Sequence, residues 1–172
     1  MKNSTLLGYR GEVTVRYNKN GRTFEFKKHN EGFEPLFHTI CHLLAGDGFP
    51  YGNLAYIELK RVKSSDNTEE DLLNSQYLPL SQLPKAIKQS NGEWACSVNT
   101  TIADSDIQSG ERFPSGYDDT ARVYLVSNDK VEMAKVELSK NIIESIAPGV
   151  QLFIQWNLVI DNKPDETSES ET

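Results

Sequence analysis

The run VQLFIQWNLVI, residues 150–160, decides the fold. Val150, Leu152, Ile154, Trp156, Leu158 and Ile160 fall on one side of an extended chain, while Gln151, Gln155 and Asn157 alternate with Phe153 and Val159 on the other. Successive side chains of a strand point to opposite faces, so this order predicts a long strand with one buried and one mostly wet face. Burying a large apolar side chain contributes about 1.5–3 kcal/mol, so a strand with six of them belongs to a core.

The same alternation recurs upstream. Val13, Val15 and Tyr17 alternate with Glu12, Thr14 and Arg16, and Phe24 and Phe26 with Thr23, Glu25 and Lys27. Between them lies Asn18-Lys19-Asn20-Gly21, and Asn-Gly is the favoured pair for a tight turn with positive φ at both central residues. Residues 8–28 are therefore expected to form an antiparallel hairpin. Leu54 to Val62 and Trp94 to Ile102 carry the same period of two. A second hairpin is expected from Ala121–Val126 and Val131–Leu138, joined at Ser127–Lys130, with a short helical or irregular segment at Ile142–Ile146 after it. In HNEGFEPLFHTICHLLAGDG, residues 29–48, Pro35 suits a first helical turn, Glu31 and Glu34 suit its positive end, and Gly46 can stop it. Leu36, Phe37, Ile40, Cys41, Leu43 and Leu44 would give that helix an apolar stripe to lay on the sheet. The fold expected is mainly β: an antiparallel β-sandwich or curled sheet with one short capping helix. Strand order is not contained in the pattern.

A chain of 172 residues supports one core, so residues 1–162 are expected to form a single β-rich domain. Two stretches lack clear periodicity, 64–92 and 103–119, and read as long loops of the kind that contact a neighbour or ligand. Residues 163–172 are acidic and rich in Ser and Thr, which predicts a disordered tail. The formal charge of −7 argues against nucleic acid as a partner. The first 63 residues do hold ten basic against six acidic side chains, but Arg10, Arg16, Arg22, Lys27, Lys28, Lys60 and Arg61 read as the wet faces of strands. Residues 2–5 are polar, Leu6-Leu7 is too short for a signal-peptide core, and no run approaches the roughly 20 apolar residues of a membrane span. The expectation is no membrane partner and a product that stays in the cytoplasm unless a particle carries it out. Cys41 and Cys96 stand in line with apolar neighbours, which predicts buried reduced thiols.

The sharpest chemical signal is a histidine pair. His38 and His42 are four apart in the expected helix, the spacing that places two metal ligands on one face, with His29 not far upstream. Thr39 follows His38 where a zinc-protease helix needs Glu, and surface histidines are the simpler expectation. Asp104, Asp106, Glu111, Asp118 and Asp119 offer hard oxygen ligands, but their spacing is not that of an EF-hand, and a solvated acidic loop is expected. Twenty-five acidic residues also offer carboxylate pairs, whose meaning depends on their separation in space. The chain contains no Gly-x-Ser-x-Gly elbow, no GxGxxG and no Walker loop. No catalytic, cofactor or metal residue is assigned, and no enzymatic activity is expected. Phe49, Tyr51, Tyr77, Phe113 and Tyr117 lie in loops, where aromatics more often pin a loop to the body than stack on a ligand.

The segment VTVRYNKNGRTFEFKKHNEGFEPLFHTICHLLAG, residues 13–46, resembles the opening of small β-rich virion proteins of tailed bacteriophages. In those proteins a strand pair leads into a His-Asn-x-Gly step and a short apolar helix ending in Ala-Gly or Gly-Gly, matched here by His29, Asn30, Gly32, Leu36, Phe37 and Gly46. The closing LFIQWNLVI looks like the end strand of the same type, and about a quarter of the chain is involved. The resemblance implies a non-enzymatic head-decoration, connector or tail-associated subunit of a virion, assembled in the host cytoplasm. Its partners would be other virion proteins and further copies of itself. An alternative reading is a carbohydrate-binding or adhesive β-sandwich module that presents Tyr77, Phe113 or Tyr117 to a glycan.

Overall fold

Residues 8–161 are described by a computed structural model. Asn20 and Gly21 take φ of 53° and 72°, the conformation a two-residue hairpin turn demands. They join β1 (Gly8–Lys19) to β2 (Arg22–His29), pairing Val13 with Lys28, Val15 with Phe26 and Tyr17 with Phe24. The closing strand, β11 (Leu152–Asp161), pairs antiparallel with β1 on one side and β8 (Trp94–Ile102) on the other. The short β7 (Lys85–Lys88) completes this first sheet, in the order β2-β1-β11-β8-β7.

A second antiparallel sheet faces the first. Its order is β3 (Glu31–Gly32), β10 (Glu132–Ser139), β9 (Tyr117–Ser127), β4 (Leu54–Lys63) and β5 (Glu69–Asp71), with β6 (Leu78–Pro79) also on β4. The inward rows of both sheets build one core. Val13, Val15, Val98, Leu152, Ile154 and Trp156 come from the first sheet, and Ile57, Leu59, Val123, Leu125, Val136 and Leu138 from the second. The protein is thus mainly β, built as two antiparallel sheets.

Helix α1 (Glu34–Ala45) crosses between the sheets at one end, with Pro35 in its first turn. Gly46 at φ 77° closes it, and the Asp47 N–H donates back to the His42 carbonyl at 2.9 Å. Only Leu36 and Thr39 of this helix are buried; Phe37, Cys41, Leu43 and Leu44 face out, so the expected apolar stripe is mostly uncovered. Cys41 is accordingly exposed rather than buried, whereas burial pushes the Cys96 thiol up; neither forms a disulfide. The second helix, α2 (Lys140–Glu144), follows the second hairpin and buries Ile142 and Ile143.

The stretch 64–92 is stitched to the body rather than projecting from it. It runs through β5 and β6 on the second sheet and then crosses to β7 on the first, anchored by the buried Leu72 and Leu73. Residues 103–119 are likewise held, by a single 3-10 turn at Asp104–Asp106, a bridge from Leu73 to Ile107, and the buried Phe113. The expected tail at 163–172 lies outside the described residues, as does the side chain of Ile160. No helix among the described residues is long and apolar enough to cross a membrane.

Candidate functional site

Capping by α1 leaves one end of the sandwich open. The two sheets and the helix enclose a groove of about 740 Å³ with walls from Leu36, Ile40, Leu54, Met133, Cys96 and Leu158. Its rim carries large apolar side chains in water: Leu83 is 81% exposed, Leu44 77%, Trp94 61% and Phe49 55%, and all four line the groove. Apolar surface gathered this way, rather than scattered singly, marks an interaction site in soluble proteins. Among the described residues, Lys85 is the one charged side chain of the lining. Sequence reasoning assigned Leu44 to a buried stripe and passed over Leu83 and Trp94. The available signal was Leu83-Pro84 beside an aromatic strand end, apolar residues with too little local chain to cover them.

The outer face of the first sheet forms a second, polar concavity of about 610 Å³. Arg16, Glu25, Lys27, His29, Gln155 and Asn157 line it, together with the turn residues Gln89 to Asn91. Much of its charge is internally paired, since Arg16 reaches Glu25 at 2.8 Å.

The outer face of the second sheet is occupied by a dense ionic network. Lys60 lies 3.1 Å from the buried Glu58, 3.6 Å from Glu132 and 3.9 Å from Glu69. Burial pulls Lys60 down, but the hydrogen bond and charge of Glu58 outweigh it and hold the ammonium above its usual value. Burial pushes the Tyr124 phenol up, reinforced by the hydrogen bond it donates to Glu69. Next to this network, Tyr117, Lys63 and Arg61 all donate to Glu70 and hold its carboxyl at about 2. The basic residues Arg16, Lys60 and Arg61 of the strand faces are thus matched by carboxylates, in keeping with wet strand faces rather than a basic binding stripe.

The sequence candidates are distributed as follows. His38 and His42 do share a helix face, with their Nε2 atoms 2.8 Å apart, and His38 Nδ1 lies 2.9 Å from the Tyr51 hydroxyl. His29 lies elsewhere, in the polar concavity. Asp104 is paired with Arg112 at 2.7 Å, Asp106 accepts from the Ala103 N–H, and Asp118 accepts from Ser64, so three of the five acidic candidates are engaged within the fold. No group of three or more metal-ligating side chains comes together among the described residues. Of the three aromatics considered for glycan stacking, Phe113 is buried, Tyr117 lies under the Arg61 guanidinium at 4.5 Å, and Tyr77 packs with Tyr56 and Lys130. All three serve as pins.

The chain matches no protein-family model, no curated protein and no solved structure.

Proposed function

We propose that the protein is a non-enzymatic structural subunit that docks on neighbouring subunits through the open apolar end of its sandwich, as a component of a tailed-phage virion. The observation that carries the docking reading is the convergence of Leu44, Phe49, Leu83 and Trp94 on one groove. Each of these side chains costs free energy in water, and a partner that covers them recovers it. Virion membership rests on the resemblance of residues 13–46 and 152–160 to virion proteins; the loops 64–92 and 103–119, expected from the sequence to make the docking contacts, are tied to the body and lend it no support, so docking rests on the apolar end alone. The test is to purify particles, on a density gradient, from cells whose genome carries this gene and to quantify the protein in them. A fixed, whole-number stoichiometry is expected. Recovery only in the soluble fraction, with particles complete without it, would overturn the reading.

A second reading, a glycan-binding module, is favoured by the polar concavity on the first sheet, where Asn157, Gln155, Arg16 and Glu25 could meet sugar hydroxyls. On this reading the recognition surface is that concavity and not Tyr77, Phe113 or Tyr117. A soluble-glycan array separates the two readings, because the docking subunit binds none of its members.

A further inference from the structure

β7 ends the first sheet. Its four residues pair with β8 on one side, Ala86 opposite Cys96 and Lys88 opposite Trp94, and no described strand pairs its other side. Lys85, Ala86 and Lys88 are exposed. Alternate residues of a strand send their N–H and C=O groups to opposite sides, so an end strand keeps part of its hydrogen-bonding capacity open. This edge forms one wall of the apolar groove, because Leu83, Lys85 and Ala86 of the β7 segment and Trp94 and Cys96 of its neighbour all line it.

We propose that β7 and the groove together receive one extended segment of a partner polypeptide, added as a sixth strand to the first sheet. The edge would supply main-chain hydrogen bonds, and every second side chain of the added strand would point into the groove beside Ala86 and Leu83. Charge identifies the chemistry of that segment. Lys85 and Lys88 lie three positions apart along the edge, on opposite faces of the strand with only Ala86 and Ile87 between them, so the segment is apolar at alternate positions and carries Asp or Glu at its flanks. The described end strands of this chain are poor partners for this edge. A two-fold β7–β7 pair with Lys85 opposite Lys88 would set lysine against lysine, β2 carries Arg22, Lys27 and Lys28 beside Glu25, and the carboxylates of the second sheet's end strands, Glu31 of β3 and Glu69 and Glu70 of β5, are already paired with Lys135, Arg122 and Arg61. The partner is therefore a different polypeptide. This inference deepens the docking reading and rests on it.

The test is selection of a yeast-displayed library of random twelve-residue peptides against the full-length protein. Enriched peptides are expected to alternate apolar residues, to carry acidic flanks, and to slow amide exchange at residues 85–88. Binding should weaken at least tenfold in Leu83→Asp and in the double variant Lys85→Glu, Lys88→Glu. These side chains lie in water, so the variants should keep the wild-type thermal transition. No enrichment, equal binding to the charge-reversed variant, or protection at a site other than β7 would each overturn the proposal. The outcome is separable from the docking reading: a protein present in particles but without peptide binding refutes strand addition alone, and one that binds such peptides but is missing from particles refutes the virion assignment.

Discussion

Arg112 clamps Asp104 at 2.7 Å, and its other terminal nitrogen donates to the carbonyl oxygens of Ile143 and Ile146, both at 2.7 Å. One guanidinium thus ties the 103–119 segment to the C-terminal end of α2. Charge-assisted hydrogen bonds of this kind contribute about 1.5–3 kcal/mol, and losing them strands the two carbonyls. Arg112→Ala should lower stability by about 2–3 kcal/mol. Urea unfolding followed by circular dichroism measures this; an unchanged midpoint would mean that the segment is held by Phe113 and Ile107 alone.

Two carboxylates should give opposite pH dependences. Glu70 is held at about 2 by Tyr117, Lys63 and Arg61, below its ordinary 4.5, so its contribution is present above the ordinary value and is lost as pH falls toward 2. Glu70→Gln should therefore lose stability at neutral pH and flatten the acid limb. Glu132 is shifted the other way, raised by burial and by Glu58 against the pull of Lys60. Its folded state prefers the proton, so the ionised form is a cost that appears as pH rises through the folded value. Glu132→Gln should be slightly stabilising at pH 7, with the gain fading in acid. Thermal unfolding from pH 3 to 8 compares both variants with wild type.

The first hairpin depends on Gly21 at φ 72°, a conformation that costs other residues about 1 kcal/mol or more. A Cβ there meets nothing within 4 Å, so Gly21→Ala isolates the backbone term. It should destabilise by about 1 kcal/mol in chemical denaturation. No loss would place the turn in another geometry.

The two tryptophans report different places. Trp156 is 1% exposed in the core and Trp94 stands in water at the groove rim. Iodide should quench one emission component and spare the other, and Trp94→Phe should remove the quenchable one. Equal quenching of both would contradict the burial of β11.

What the sequence revealed and what it hid follow from the range of the interactions involved. The Asn20-Gly21 turn and the alternation in β1, β4, β8, β9, β10 and β11 are local signals, and each of those strands forms over the stretch its pattern marks, except that β9 begins four residues early, at Tyr117 inside the expected loop 103–119, and β11 two residues late, at Leu152, because Val150 is bridged to Ala147. β5, β6 and β7 are too short to show a period, and the buried Leu72 and Leu73 sit in a polar run whose inward turn depends on β4 and Ile107. Val159 shows the limit of face assignment: it lies on the wet side of β11 by alternation, yet is fully buried between its strand neighbours Arg10 and Ala95. The groove was hidden for the same reason. Helical spacing marks Leu43 and Leu44 as apolar but does not say whether the fold supplies anything to cover them, and Leu83 and Trp94 join them only after the chain crosses from one sheet to the other.

If the apolar end of the sandwich is the docking face, gradient-purified particles should hold different amounts of wild type and Leu83→Asp. Leu83 is exposed, so the variant should fold with an unchanged thermal transition. A fixed stoichiometry is expected for wild type and at least a tenfold loss for the variant. Equal incorporation of both, or absence of the wild-type protein from the particles, would contradict it.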